Sequence, residues 1–379
     1  APYKSDPVYT TNYISGCHVS LENLSFWDRF KCVAILHPIL KLIRYESMFY
    51  LNSYRSAHGI EWIWSPMERT KDSLYLANSF FGFEIPEKLS PLVQDIGPIY
   101  YEYYDPLTKE LKEFLDSHPR TLYIAFGGRL WITLENYEKI IQTILEAMNT
   151  DLLDGIIWSI SVSRLEGIPE NITLNDGTVI ATDQIVANEH PHILLQNWAP
   201  QFAILNHSNT KLFLTHGGIQ SIQESLYHAV PMLVLPLYFD QRANAEKLML
   251  QGCALAVSKF SLSANDMLSK MHILMTDDQI KSNLLRMQTL ARMNGNRKYR
   301  AADLIEYVMD YAKLNPNSGS RIPTVQEWLT PDRRMGWIRG NNIDIFVFAI
   351  LVLLVALLGT RWLAMRITEF VLEYRIKTG

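Results

Sequence analysis

Between residues 121 and 257, short apolar runs alternate with segments of helical periodicity, and this alternation constrains the fold more than any other property of the chain. Residues 121–126, 155–160, 193–196, 212–215, 232–235 and 254–257 read as strands, and 135–148 reads as a helix between the first two. Strands alternating with helices imply βαβ units, hence a parallel, doubly wound sheet of the α/β class. Such sheets bind ligands at the carboxyl ends of their strands. Gly127-Gly128, His216-Gly217-Gly218 and Asp240-Gln241 all fall at or just after such ends. Helical segments at 264–275, 279–293 and 298–314 close the domain.

Ahead of this pattern, residues up to about 99 are aromatic-rich, with a long helix-like stretch over 25–54 and a strand-like piece at 74–78. That segment does not read as a complete domain. Pro86, Ser90, Pro91, Gly97 and Pro98 punctuate the chain after the strand-like piece, so a boundary is expected between 84 and 100. The resulting division is 1–97, 98–325, a linker at 326–342, an apolar segment at 343–365 and a tail at 366–379. Residues 163–192 form an insertion expected to be a surface excursion without an assigned role.

The apolar segment has Asp344 and Arg361 as its charged members. It reaches the roughly 20 residues needed to span ~30 Å of hydrocarbon, with Trp337 and Trp362 near the two interfaces. A single membrane-spanning helix is therefore expected. No signal peptide is visible at Ala1. Asn23-Leu-Ser, Asn171-Ile-Thr and Asn206-His-Ser are glycan acceptors if the main domain is lumenal.

A net charge of −4 gives no basic footprint for a polynucleotide partner. The three cysteines, Cys17, Cys32 and Cys253, lack zinc-site spacing and are too few for a disulfide framework, so no bridge is expected. Neither a G-x-G-x-x-G fingerprint nor a G-x-x-x-x-G-K-[ST] loop is present, which removes dehydrogenase and P-loop readings. There is also no Asp-x-Asp pair, so no metal is expected to clamp a diphosphate.

The densest constellation runs from Thr215 to Glu224, between an apolar strand and an amphipathic helix. Small residues let the backbone approach a ligand, and a helix N-terminus offers unpaired N–H groups that suit a diphosphate. Ser221 adds a hydroxyl, and His216 a further donor.

Trp198-Ala-Pro-Gln201, His216-Gly217-Gly218, Glu224, Pro231, Pro236 and Asp240-Gln241, taken as one spaced set, resemble the signature of UDP-glycosyltransferases. The similarity covers most of residues 74–365. It implies a GT-B-type fold of two Rossmann-like domains, with the donor held mainly by the second and residues 1–97 a remnant of the acceptor domain. It further implies that Trp198 stacks on uracil and Gln201 hydrogen-bonds the base. His216 would donate to the diphosphate, surrounded by Gly217, Gly218, Gln220 and Ser221. Glu224, eight residues beyond His216, would take the ribose hydroxyls, and Asp240 and Gln241 the sugar hydroxyls. Gly127-Gly128 stands where the family usually has Gly-Ser, so one phosphate-directed hydroxyl is replaced by backbone N–H groups.

The resemblance implies transfer of a hexosyl or glucuronosyl group from a UDP-sugar to a hydroxyl of a small lipophilic acceptor, with inversion. UDP-sugar is then a co-substrate rather than a cofactor. The family's catalytic base is a His near the start of the first domain, in a part this chain is expected to lack, so no catalytic residue is assigned. His18, His37 and His58 are not nominated. The alternative reading is a catalytically incomplete donor-binding or regulatory relative. The expected setting is the endoplasmic reticulum membrane, with a lumenal body, a short cytosolic tail and possible homo- or hetero-oligomers.

Overall fold

The computed structural model describes residues 17–20, 22, 24–63, 73–86, 89–128, 132–238, 240–314, 326–335 and 337–378. Helix α1 (Phe26–Phe30) begins where the Ser25 side chain accepts the Asp28 N–H, and it runs through a π-helical turn at Lys31–Leu36 into α2 (His37–Ala57). Cys32 in that turn is bonded to Cys17, which corrects the expectation of no disulfide. Fifteen residues of separation carry no sequence signal; the fold brings the two Cα atoms within 6.0 Å. The same segment reaches the second half of the molecule, for the Val19 N–H donates to the buried Glu246 carboxylate at 2.9 Å.

Strands β1 (Tyr75–Ala77) and β2 (Val93–Asp95) pair in parallel. Between them Phe80 and Phe83 are fully buried in the main core of the molecule, while Ile96 packs with Ala301 and Leu304. Residues 80–96, placed on sequence grounds with the first domain, thus contribute side chains to the packing of the second.

After α3 (Lys109–Ser117), the central sheet is built from β3 (Thr121–Ala125), β4 (Gly155–Ser159), β7 (Ile193–Gln196), β8 (Thr210–Thr215), β9 (Met232–Val234) and β10 (Ala254–Ala256). All six are parallel, in the order β10-β9-β8-β3-β4-β7. Counted within the sheet this is the doubly wound 3-2-1-4-5-6 arrangement, whose direction of winding reverses between β3 and β8. Right-handed crossovers then place α4 (Leu134–Asn149), which comes after β3, and α7 (Ile219–His228), which comes after β8, on opposite faces. α4 packs against α9 (Ala264–Thr276), and α7 against α10 (Asp278–Asn294). The central strands are buried on both faces, and Tyr123 of β3 stacks on Phe213 of β8 with ring centroids 5.1 Å apart.

The insertion between β4 and β7 is folded. A 3-10 turn (Val162–Leu165) leads into an antiparallel hairpin, β5 (Asn171–Thr173) with β6 (Val179–Ala181), and a short helix α5 (Asp183–Val186). Leu165, Ile172, Leu174 and Ile185 bury their side chains in the main core. Asn171 and Asn206 are exposed, whereas Asn23 lies outside the described residues. The chain continues through α11 (Arg297–Leu314), α12 (Pro331–Arg334) and α13 (Trp337–Gly340) into α14 (Ile343–Thr378). Residues 315–325 and the Trp337 side chain lie outside the described part of the chain. Within α14, Ile343–Thr368 is long and apolar enough to cross a membrane, and none of it is buried against the rest of the molecule. The segment expected as a tail begins as a continuation of this helix.

Candidate functional site

The winding reversal between β3 and β8 opens a crevice at the carboxyl ends of those strands. Gly127 lies two residues beyond β3 and His216 one beyond β8, and they face each other: a Cβ added to Gly127 would sit 3.6 Å from the imidazole. Gly127 and Gly217 have φ of +72° and +83°, the left-handed region that side chains disfavour. A Cβ on Gly217 would also come within 2.9 Å of Val234 Cγ1 and 3.3 Å of the Gln241 carbonyl. The backbone turn between β8 and α7 therefore requires glycine. Among the described residues nothing lies within 4 Å of a Cβ built on Gly128.

α7 begins with Gly218 at its N-cap, and no side chain caps it, so its first N–H groups face the crevice unpaired by the cap residue. Along its first turns Gln220, Ser221 and Glu224 line one side. Gln201, the first residue of α6 (Gln201–Asn206), reaches across: its Nε2 donates to Glu224 Oε2 at 2.8 Å and to Ser221 Oγ at 3.2 Å. Gln220 Nε2 donates to Glu224 Oε1 at 3.2 Å. α6 is held in place by Phe202, stacked on Tyr104 with centroids 3.7 Å apart. Burial pushes the Glu224 pKa above the usual carboxylate range, and the Gln201 and Gln220 amides pull it back.

His216 is depressed by burial, opposed by the Ala125 carbonyl and the Asp240 carboxylate. Its Nδ1 is buried without a hydrogen bond of good geometry. The ring edge carrying Cε1 and Nε2 lies beside Gly127 and Gly218 at the crevice, and burial favours its neutral form. Asp240 is the exposed N-cap residue of α8 (Gln241–Leu250) and accepts the Asn244 amide at 2.8 Å. Gln241 is buried; its Oε1 accepts the Leu237 and Tyr238 N–H groups at 2.8 and 2.9 Å and so folds the loop after β9. Trp198 takes no part in this network, and the residue is 64% exposed.

Two residues at this site were not singled out in the sequence. Asn244 donates from one amide to the Gly217 carbonyl (3.0 Å) and to Asp240, locking the β8–α7 turn to α8. Its spacing of one helical turn from Asp240 is the only local signal. Arg164, from the insertion, donates to the Gly128 carbonyl at 3.1 Å. The insertion had no assigned role, and nothing in the sequence connects the two positions.

An open parallel sheet with a glycine-lined crevice at its switch point, backed by a helix N-terminus, defines a nucleotide-type α/β domain. The family described as UDP-glucoronosyl and UDP-glucosyl transferase matches residues 12–372. A UDP-glycosyltransferase of Talaromyces amestolkiae is 33% identical over 356 residues, covering 92% of this chain and 66% of that protein. UDP-glycosyltransferase stmC of Aspergillus ustus is 32% identical over 361 residues, with the same two coverages. Among solved structures, the glycotransferase of kitacinnamycin superposes with a TM-score of 0.44 at 26% identity, over 57% of this chain and 49% of that one. The chain belongs to the UDP-glycosyltransferase family. It spans 66% of the length of the two curated relatives.

Proposed function

We propose that the protein transfers a sugar from a UDP-sugar to a hydroxyl of a small lipophilic acceptor, and that this chain supplies the donor half. The observation that carries the proposal is the convergence of Gln201, Gln220, Ser221 and Glu224 beside His216 and Gly217 at the switch point. In this reading the exposed face of Trp198 takes the uracil ring by stacking, and Gln201 its edge. The diphosphate lies against the unpaired N–H groups of α7, with Gly127, Gly128, Gly218 and Ser221 around it. His216 donates to an oxygen that gains charge as UDP departs, and it is held within the crevice before the reaction begins. Glu224 accepts from the ribose hydroxyls. Asp240 accepts from the sugar, and Gln241, whose Oε1 is committed to the loop, donates from its amide nitrogen. No metal is assigned, because the helix N-terminus supplies positive potential and His216 a neutral hydrogen-bond donor.

The acceptor's proton requires a base from the other half of a GT-B cleft, and no residue here is placed in that role. The apolar helix Ile343–Thr368 supports a single membrane span, which would hold the protein where lipophilic acceptors concentrate, in the endoplasmic reticulum on this reading.

Calorimetric titration of UDP into the chain, with Trp198→Ala and His216→Ala beside it, tests the donor site. Micromolar binding weakened at least tenfold in both variants, and unchanged by a chelator, is expected. Absence of UDP binding by the folded chain would overturn the assignment.

A further inference from the structure

Beside the loop that carries Asp240 and Gln241 lies a second cavity of about 700 Å³ at the ends of β9 and β10, lined in part by Leu237, Tyr238, Arg242, Lys259 and Phe260. It shares a wall with the proposed donor site, since the Leu237 and Tyr238 N–H groups are those bound by Gln241 Oε1. Its lining holds two carboxylates and three cations. Glu246 is engaged by Arg242 at 3.4 Å and by His18 and the Val19 N–H, and Asp266 is engaged by Lys270 at 2.8 Å. Lys259 is left without a carboxylate partner among the described residues. Its ammonium is positioned all the same: it donates to the Leu237 carbonyl and stands 4.0 Å above the centroid of the Tyr238 ring. Phe260, next in the chain, is 90% exposed at the same cavity.

A fixed cation lacking a counter-ion, flanked by an exposed aromatic ring and a half-exposed tyrosine, matches one chemistry: a carboxylate carried on a ring with an apolar face. We propose that this cavity is a subsite for an organic carboxylate seated on Lys259, with the rest of the ligand against Phe260 and Tyr238. The carboxylate comes either from the sugar of a uronic-acid donor or from an acidic acceptor. Only the first of these sources rests on the donor-site reading above.

Affinities of the full chain in detergent would be measured for two matched pairs, UDP-glucuronic acid against UDP-glucose and 2-naphthoic acid against 2-naphthalenemethanol. Lys259→Gln removes the charge yet retains a donor for the Leu237 carbonyl, and Lys259→Arg keeps the charge. The acid of one pair should bind roughly tenfold more tightly than its neutral partner. That ratio should fall to near one in Lys259→Gln, persist in Lys259→Arg, and shrink as salt is raised about tenfold. Preference within the sugar pair identifies the donor as the source; preference within the naphthyl pair identifies the acceptor. UDP measured on every variant reports whether the donor crevice is intact. If UDP fails to bind the native chain, the donor reading falls and the naphthyl pair alone decides the subsite. Equal affinities within both pairs, or a preference that survives Lys259→Gln, would overturn the proposal. Should Lys259→Gln fail to fold, a salt-insensitive preference in the native chain would do the same.

Discussion

At the scale of single residues, the crevice depends on backbone geometry as much as on side chains. Gly217→Ala puts a methyl 2.9 Å from Val234 Cγ1 in a left-handed conformation. A loss of about 1–3 kcal/mol in urea unfolding is expected, together with loss of UDP affinity. Two buried titrating groups nearby act on stability with opposite signs. Glu224 holds its proton more tightly in the folded chain than in the unfolded one, because burial disfavours its charge. The stability linked to it is full below its ordinary pKa of about 4.5 and declines as pH rises through the raised native value. Without ligand, Glu224→Gln should therefore gain in Tm relative to the native chain as pH rises from about 4 to 8. His228 is the reverse case: burial, with Arg292 adding to it, lowers its pKa to about 4, and its buried Nε2 has no hydrogen-bond partner among the described residues. Its contribution is lost as pH falls from about 6.5 through that value. His228→Phe, placed among Phe202 and Tyr227, should keep its Tm over that acid range while the native chain declines.

At the scale of elements, the insertion between β4 and β7 joins two functions that separate variants should distinguish. Ile172 is buried in the core, so Ile172→Ala should cost roughly 2–5 kcal/mol of stability while leaving the UDP affinity of the folded fraction close to native. Arg164 tethers the Gly128 carbonyl, so Arg164→Ala should weaken UDP several-fold in calorimetry with a much smaller change in Tm. Equal effects of Arg164→Ala on both would mean that the contact only supports the fold. The insertion also shows where sequence reading stops. Strands β3, β8 and β9 were legible because strands covered on both faces are continuous apolar runs, and α9, α10 and α11 because their apolar period is long. The hairpin strands Asn171–Thr173 and Val179–Ala181 are too short for a period to register. The residues of the crevice were legible as a spaced set. Their partners Asn244 and Arg164, and the pairing of Cys17 with Cys32, exist only once distant segments meet.

At the scale of the whole molecule, the crevice and α14 belong to parts that differ in what they need from their surroundings. The sheet and its helices bury their apolar side chains against one another, whereas Ile350, Leu351, Leu357 and Leu358 on α14 are each more than half exposed. A run of 26 residues, Ile343–Thr368, leaves so much apolar area in water that lipid or detergent is the favourable environment. The crevice lies at the ends of β3 and β8 and takes no side chain from α14, so removing the helix should not alter it. The chain ended before Ile343 should accordingly remain in solution without detergent and bind UDP within about twofold of the full chain, since truncation leaves the differential contacts of the site intact. Expressed in cells with a secretory pathway, the full chain should pellet with membranes and resist extraction by salt. If its body is lumenal, exposed Asn171 and Asn206 are the sites to test: Asn171→Gln and Asn206→Gln should each remove one endoglycosidase-sensitive mass increment. A full chain that carries no glycan yet stays membrane-bound would place the crevice on the cytosolic side, with the span unchanged and its direction reversed.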